Sequence, residues 1–359
     1  MKLLNRLLVA ACVLFLVAGV SFAGGKGESA SGSSSEGKVL TVGVLVSTVG
    51  IPALYAEDQG WFKEAGLNVD LQIFATGAPV NEAIAAGKLD MACSGFASVY
   101  SLANGNCVWL LDINSTGGMG IFARTNSPVV AAGKNVSGFP NIIGSAATVR
   151  NLQLLGPVGT APQYMVEGYA TRLGLQATDV KMLNMEYIPA YQAFVSGQGD
   201  LNATNPPTSY TMQDEGYIKV CSFEDATGVA LMDGCFARDE IVRTRSGDVQ
   251  KFVNIIIRAM DALQDKQVRF KYSMDRFIAN GTRYTDDILN REIADRDYIG
   301  TKFASASDYV FGEAWGAITS FLVRNERITP ENGPNVAKSL DPSFLSKAIS
   351  RSVNKYTER

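Results

Sequence analysis

The 359-residue chain contains no histidine. A Ser-His-Asp or Cys-His nucleophile system therefore has no base here. A catalytic zinc site built on histidine ligands is excluded with it. No G-x-x-x-x-G-K-[ST] phosphate loop occurs either. Basic excess is also missing: the formal net charge is −3, whereas a nucleic-acid partner calls for a basic face. Past the first two dozen residues there is no apolar run of roughly eighteen residues, the length a membrane span requires. An enzyme remains possible with carboxylates or tyrosine.

What is present fits a folded protein with a sizeable core. The chain is 47% hydrophobic and 19% charged, and it is long enough for two domains. Its first residues have the layout of a secretory signal peptide. Lys2 and Arg6 supply charge, residues 7–20 form an uncharged apolar run, and Ser21-Phe22-Ala23 is a small-x-small cleavage site. Val9-Ala10-Ala11-Cys12 loosely resembles a lipoprotein box, but the apolar run continues past it, so Cys12 is read as part of the leader core. Residues 24–38 are Gly/Ser-rich and bury too little to offset ordering entropy, which predicts a flexible tether. Export places Cys93, Cys107, Cys221 and Cys235 where disulfides can form. The local pairs 93–107 and 221–235 have the order to link neighbouring strands. Free buried thiols are the alternative, and spacing does not choose among the three pairings.

From Lys38 onward, β-rich runs alternate with helical periodicity. Strands are expected at residues 39–47, 68–74, 89–93 and 108–114, with helices at 52–65, 78–86 and 96–103. A Gly/Pro/Ser/Asn-rich stretch over residues 126–150 leads to a second series. Its strands are expected at 151–160, 181–187, 201–205 and 217–221, with helices at 161–173, 189–195 and 207–214. After residue 238 the pattern is helical, with Val249, Phe252, Val253, Ile256, Met260 and Leu263 on one face. The fold class expected is α/β: two open, mainly parallel sheets, with the helical tail packed back on the first unit. The first unit is then discontinuous, residues 39–125 plus 231–359, and the second covers 126–230.

Several segments together resemble a known family. They are "ALYAEDQGWFKEAGLNVDLQIF", "NEAIAAGKLDMACSGFASVYSLANG", "GTAPQYMVEGYATRLGLQATDVKMLNM", "AFVSGQGDLNATNPPTSYTMQDEGY" and "FARDEIVRTRSGDVQKFVNIIIRAM". In order and spacing they are similar to the substrate-binding proteins of ABC importers for nitrate, taurine, aliphatic sulfonates and thiamine-precursor pyrimidines. The resemblance implies a two-lobed type II fold joined by two crossing strands, near residues 123–130 and 229–238. It also implies capture of a small molecule, handover to a membrane permease driven by an ATPase, no catalysis, no cofactor, a periplasmic location and a monomer. A ligand sensor reporting to a membrane receptor is the reading that sequence cannot separate from import.

Ligands of open α/β sheets bind outside the carboxyl ends of the strands. That rule selects Ser47, Thr48, Phe74, Thr76, Ser94, Gly95, Phe96, Asp112 and Asn114 in the first unit, and Gly159, Thr160, Tyr187 and Asn205 in the second. Ser94-Gly95 and Gly159-Thr160 each precede a helix, whose free N–H groups favour an anion. An acidic or strongly polar ligand group is therefore expected between them. The aromatic residues Phe74, Phe96, Tyr164, Tyr187 and Tyr191 offer faces for a ring instead. Asp112 and Asn114 suit an amine or ring N–H, or an Asx turn in "DINSTGG". Glu57 and Asp58 are expected on a solvated or permease-facing helix surface.

Overall fold

The computed structural model of the chain describes residues 38–282 and 284–357. The expected leader, Cys12 and the tether up to residue 37 lie outside the described residues. Ten strands build two five-stranded sheets: β1 (Leu40–Leu45), β2 (Val69–Phe74), β3 (Met91–Ser94), β4 (Cys107–Ser115), β5 (Gly120–Ala123), β6 (Gln153–Gly156), β7 (Lys181–Asn184), β8 (Leu201–Thr204), β9 (Ile218–Ser222) and β10 (Met232–Arg238). The first sheet has the order β2-β1-β3-β10-β4, and the second β7-β6-β8-β5-β9.

Each sheet is completed by a strand that enters from the other. β1 pairs parallel with β2 and β3, whereas β10 runs antiparallel between β3 and β4. β6 pairs parallel with β7 and β8, whereas β5 runs antiparallel between β8 and β9. A crossing strand starts at the edge where the parallel strands end, so it must run against them. The chain first crosses between Ser115 and Gly120, ahead of the expected 123–130, because β5 already belongs to the second sheet. Gly118 makes this short link feasible. Its φ is +80°, and a Cβ there would lie 2.3 Å from the Tyr210 hydroxyl and 2.7 Å from Pro206. The return runs through residues 228–231.

Local chemistry explains the other departures from the expected elements. The helix expected over 52–65 is two, Ile51–Asp58 and Trp61–Glu64, separated by Gly60 at φ 73°. The strand expected to end at Tyr187 stops at Asn184, and Tyr187 opens the helix Tyr187–Val195, with Pro189 in its first turn. The expected helix from Phe96 begins at Ser98 and has six residues.

The helical tail packs on the first sheet's layer. Helix Ser246–Ala262 buries Val249, Phe252, Val253, Ile256 and Met260 completely, and Phe252 stacks on Phe62 at 5.5 Å. Each such side chain contributes about 1.5–3 kcal/mol on burial. Trp315, from helix Glu313–Arg324, meets Trp109 of β4 edge to face at 4.9 Å. Ahead of that helix, the tail pairs with the end of β4. The Ser115 N–H donates to Asp297 O (3.0 Å) and the Ile299 N–H to Ile113 O (2.8 Å). This anchor holds the preceding residue, Arg296, at the junction of the two sheets.

The four described cysteines are free and buried. Both local pairings are separated by the topology: β10 lies between the strands of Cys93 and Cys107, and Cys221 and Cys235 belong to different sheets. Cys93 instead sits directly opposite Cys235.

Candidate functional site

A cavity of about 480 Å³ lies where the carboxyl ends of both sets of parallel strands meet, a size that suits a small molecule. The first sheet supplies Ser47 after β1, Thr76 after β2, and Gly95, Phe96 and Ala97 after β3. The second supplies Thr160 after β6, Glu186 to Pro189 after β7, and Asn205 to Thr208 after β8. The crossings add Thr116, Met119, Leu231 and Asp233, and the tail adds Asn280, Thr282 and Arg296. The two walls also touch each other. The Thr76 hydroxyl donates to Glu186 Oε1 at 3.3 Å, and the Phe96 and Tyr164 rings stack at 5.1 Å.

Of the residues selected from sequence, Ser47, Thr76, Gly95, Phe96, Thr160, Tyr187 and Asn205 are brought together around this cavity. The others stand behind it. The Thr48 hydroxyl donates to Glu292 Oε1. Phe74 packs into the core beside Gly43. The Ser94 hydroxyl is buried under Gly77. Asp112 lies inside β4 and accepts from the Trp109 indole (2.7 Å) and the Tyr309 hydroxyl (2.6 Å). Asn114 donates to Asp233 Oδ2 at 3.2 Å. Tyr164 is enclosed by Phe96, Phe223 and Phe321. Tyr191 turns away to donate to Glu215. Asp58 accepts from Tyr272 and Arg276, so that acid is partnered within the chain.

The two helix starts meet different conditions from those expected. The Gly159 N–H already donates to Gln163 Oε1 at 2.7 Å, and the Thr160 hydroxyl donates to Pro157 O. At the other turn, Asp233 Oδ1 lies 2.3 Å from where a Cβ on Gly95 would sit. A carboxylate therefore stands over the turn that was expected to receive an anion.

Asp233, Glu186 and Arg296 are the charged groups that sequence reasoning missed. Asp233 sits on the return crossing, a segment that sequence marked, but its position over Gly95 depends on the β3–β10 pairing. Burial pushes its carboxyl up, and Arg296 and the Asn114 hydrogen bond pull it back. Arg296 has no local signal because the tail delivers it. Its Nε donates to Gly117 O (3.0 Å) and its Nη2 to Asn205 Oδ1, and Nη1 lies 3.8 Å from Glu292 Oε1. Burial opposes its charge while Glu292 and Asp233 support it, and the net effect keeps it cationic. Burial likewise pushes the Tyr187 hydroxyl up, so that group is a neutral donor.

Against known proteins, the model of the NMT1/THI5-like family matches residues 47–269, more than half of the chain. The chain belongs to the NMT1/THI5-like family. A putative ABC transporter periplasmic binding protein of Brachyspira hyodysenteriae is 27% identical to this NMT1/THI5-like chain over 97% of its length and 98% of the relative. The alkanesulfonate-binding protein SsuA of Xanthomonas axonopodis pv. citri, bound to MOPS, superposes with a TM-score of 0.66 at 14% identity, covering 85% of this chain and 98% of that one. The nitrate-binding protein NrtA of Synechocystis PCC 6803 gives 0.65 at 12% identity, covering 87% and 88%. The fold is therefore the two-lobed type II fold of periplasmic binding proteins, and the homologues are binding proteins of ABC transporters.

Proposed function

We propose that this NMT1/THI5-like protein is the extracytoplasmic solute-binding protein of an ABC importer. Residues 1–23 direct its export. It works as a monomer, closes its two lobes on a small ligand, and hands that ligand to a membrane permease driven by an ATPase. The observation that carries this reading is the cavity itself, enclosed by strand ends of both sheets and lined from both lobes. Ser47, Thr76, Gly95, Phe96, Thr160, Tyr187 and Asn205 form the ligand-facing set. Binding without catalysis fits the wall chemistry. The chain has no histidine, its described thiols are buried in the sheets, and Arg296 is held by Gly117 O and Asn205, with Glu292 3.8 Å from its Nη1.

Native mass spectrometry of the mature protein purified from its export compartment tests this, followed by a thermal-shift screen with a small-molecule extract of the growth medium. A co-purified small mass, or a rise in Tm that one fraction causes, is the expected result. A folded protein that carries no small mass and responds to no fraction would overturn the reading.

A further inference from the structure

We propose that the solute presents an N–H-donating nitrogen, an ammonium or an amino group on a small ring, to the Asp233 carboxylate, and that a bare oxyanion is not the preferred ligand. This rests on the solute-binding reading and narrows its substrate class.

Charge comes first. Among the described residues lining the cavity, Asp233 and Glu186 are acids and Arg296 is the single cation. Arg296 already donates to Gly117 O and Asn205, and its charge is offset by Glu292, a further carboxylate 3.8 Å from Nη1 immediately behind the wall. An incoming oxyanion would meet more negative than positive charge, the exposed Glu186 at the rim and the half-buried Asp233 deeper in, where repulsion is less screened. It would also find the Gly159 N–H already donated to Gln163.

Position comes second. Asp233 Oδ2 accepts from Asn114, which orients the carboxylate, and Oδ1 accepts no hydrogen bond among the described residues. That free oxygen stands over Gly95, beside the Phe96 turn, at the cavity wall. A half-buried acceptor with one oxygen held and one oxygen open calls for a donor from the ligand. An ammonium or amino N–H forms a charge-assisted hydrogen bond there. The Tyr187 ring and the two prolines after Asn205 leave an apolar wall for the rest of a small ligand.

The test uses the mature protein and matched probes in which oxygen replaces the amino nitrogen: taurine against isethionate, and 4-aminopyrimidine against 4-methoxypyrimidine, which has no N–H. Nitrate and methanesulfonate serve as bare oxyanions, and binding is read by calorimetry. At least one amino probe is expected to bind at least about tenfold tighter than its oxygen counterpart, the loss expected for one charge-assisted hydrogen bond. Asp233→Asn should erase that preference. Gly95→Ala, whose Cβ would push Asp233 Oδ1 aside, should weaken the amino probe without changing the residue that receives it. Circular dichroism and the unliganded Tm confirm that both variants fold. The proposal is overturned if the oxyanions or oxygen analogues bind as tightly as the amino probes, if no amino probe binds up to millimolar concentration, or if Asp233→Asn keeps the preference. Oxyanion binding would leave the solute-binding reading standing. A protein that also ignores every fraction of the medium extract would remove both.

Discussion

Arg327, just past the tail helix Glu313–Arg324, grips the buried Glu167 of helix Ala161–Arg172. Its Nη2 and Nε lie 2.6 Å and 2.9 Å from Glu167 Oε1. Glu167 also accepts from the Gln163 amide at 2.8 Å, and Gln163 in turn accepts from the Gly159 N–H at 2.7 Å. The tail is thus wired through three side chains to the turn that opens the second lobe's first helix. Arg327 is 42% exposed and Glu167 only 4%. Removing the arginine leaves a buried carboxylate without its cation, but solvent reaches the arginine side and moderates the loss. Arg327→Ala is expected to cost about 1–3 kcal/mol, read from the urea midpoint, and to speed hydrogen exchange at Gly159. Glu167→Gln, which keeps the amide contact to Gln163, should exchange more slowly there than Arg327→Ala. Equal exchange in wild type and both variants would mean the relay does not hold the turn.

Much of the fold was legible because its periodicity is local. The runs at β1, β2 and β4 alternate or stay apolar within a few residues, and the 246–262 helix shows its buried stripe within its own sequence, from Val249 to Met260. The position of the first crossing was not legible. It turns on Gly118 fitting against Pro206 and Tyr210, residues about ninety positions away. The site divided in the same way. Gly95, Phe96 and Thr160 follow from strand ends, a rule that needs only local reading. Arg296 and Asp233 arrive through the tail and the return strand, and no local pattern marks such a meeting. Tyr187 reaches the cavity for a reason other than the one inferred, since it opens a helix rather than ending a strand.

Tyr187 offers the flattest side chain in the cavity wall that is not locked in the core. Phe96 is held by Tyr100 and Tyr164, whereas Tyr187 is half-buried and faces the space. Tyr187→Ala is expected to weaken a ring-containing ligand about tenfold, the loss of a face contact worth roughly 1.4 kcal/mol. Tyr187→Phe should keep most of the affinity, because the ring rather than the hydroxyl makes that contact. An unchanged Kd in Tyr187→Ala, measured by calorimetry, removes the residue from the site.

Asp112 gives the protein a pH signature. The side chain is fully buried, which pushes its carboxyl up, and the hydrogen bonds from Tyr309, Trp109 and the Gly312 N–H only partly offset this. A carboxyl raised in the folded state binds its proton more tightly there than in the unfolded chain. Its contribution to stability is therefore complete below the unfolded carboxylate range and is lost as pH rises through the folded value. Asp233 and Glu224 are raised as well and act in the same direction. Asp112→Asn should flatten part of the fall in the urea midpoint between about pH 4 and pH 8. A slope identical to wild type would show that Asp112 titrates alike in both states.

Cys93 and Cys235 are direct partners across the antiparallel β3–β10 pair. Opposite residues on antiparallel strands have Cα atoms about 4.5 or 5.5 Å apart, depending on the pair type. Both spacings fall within the range that a disulfide spans, about 4.4–6.8 Å. Cys107 and Cys221 have no such partner among the described residues. In the folded protein all four thiols should resist iodoacetamide because all are buried; burial also pushes Cys107 up to about 12 and raises Cys221 and Cys235, and the thiolate is the reactive form. Refolding in a glutathione redox couple gives the thiols time to exchange before burial. The disulfide formed then should join Cys93 to Cys235, seen as a linked peptide pair lighter by two hydrogens, and Cys235→Ser should leave no internal link. A Cys93–Cys107 link would contradict the placement of β10 between their strands. A Cys221–Cys235 link would contradict the assignment of those residues to separate sheets.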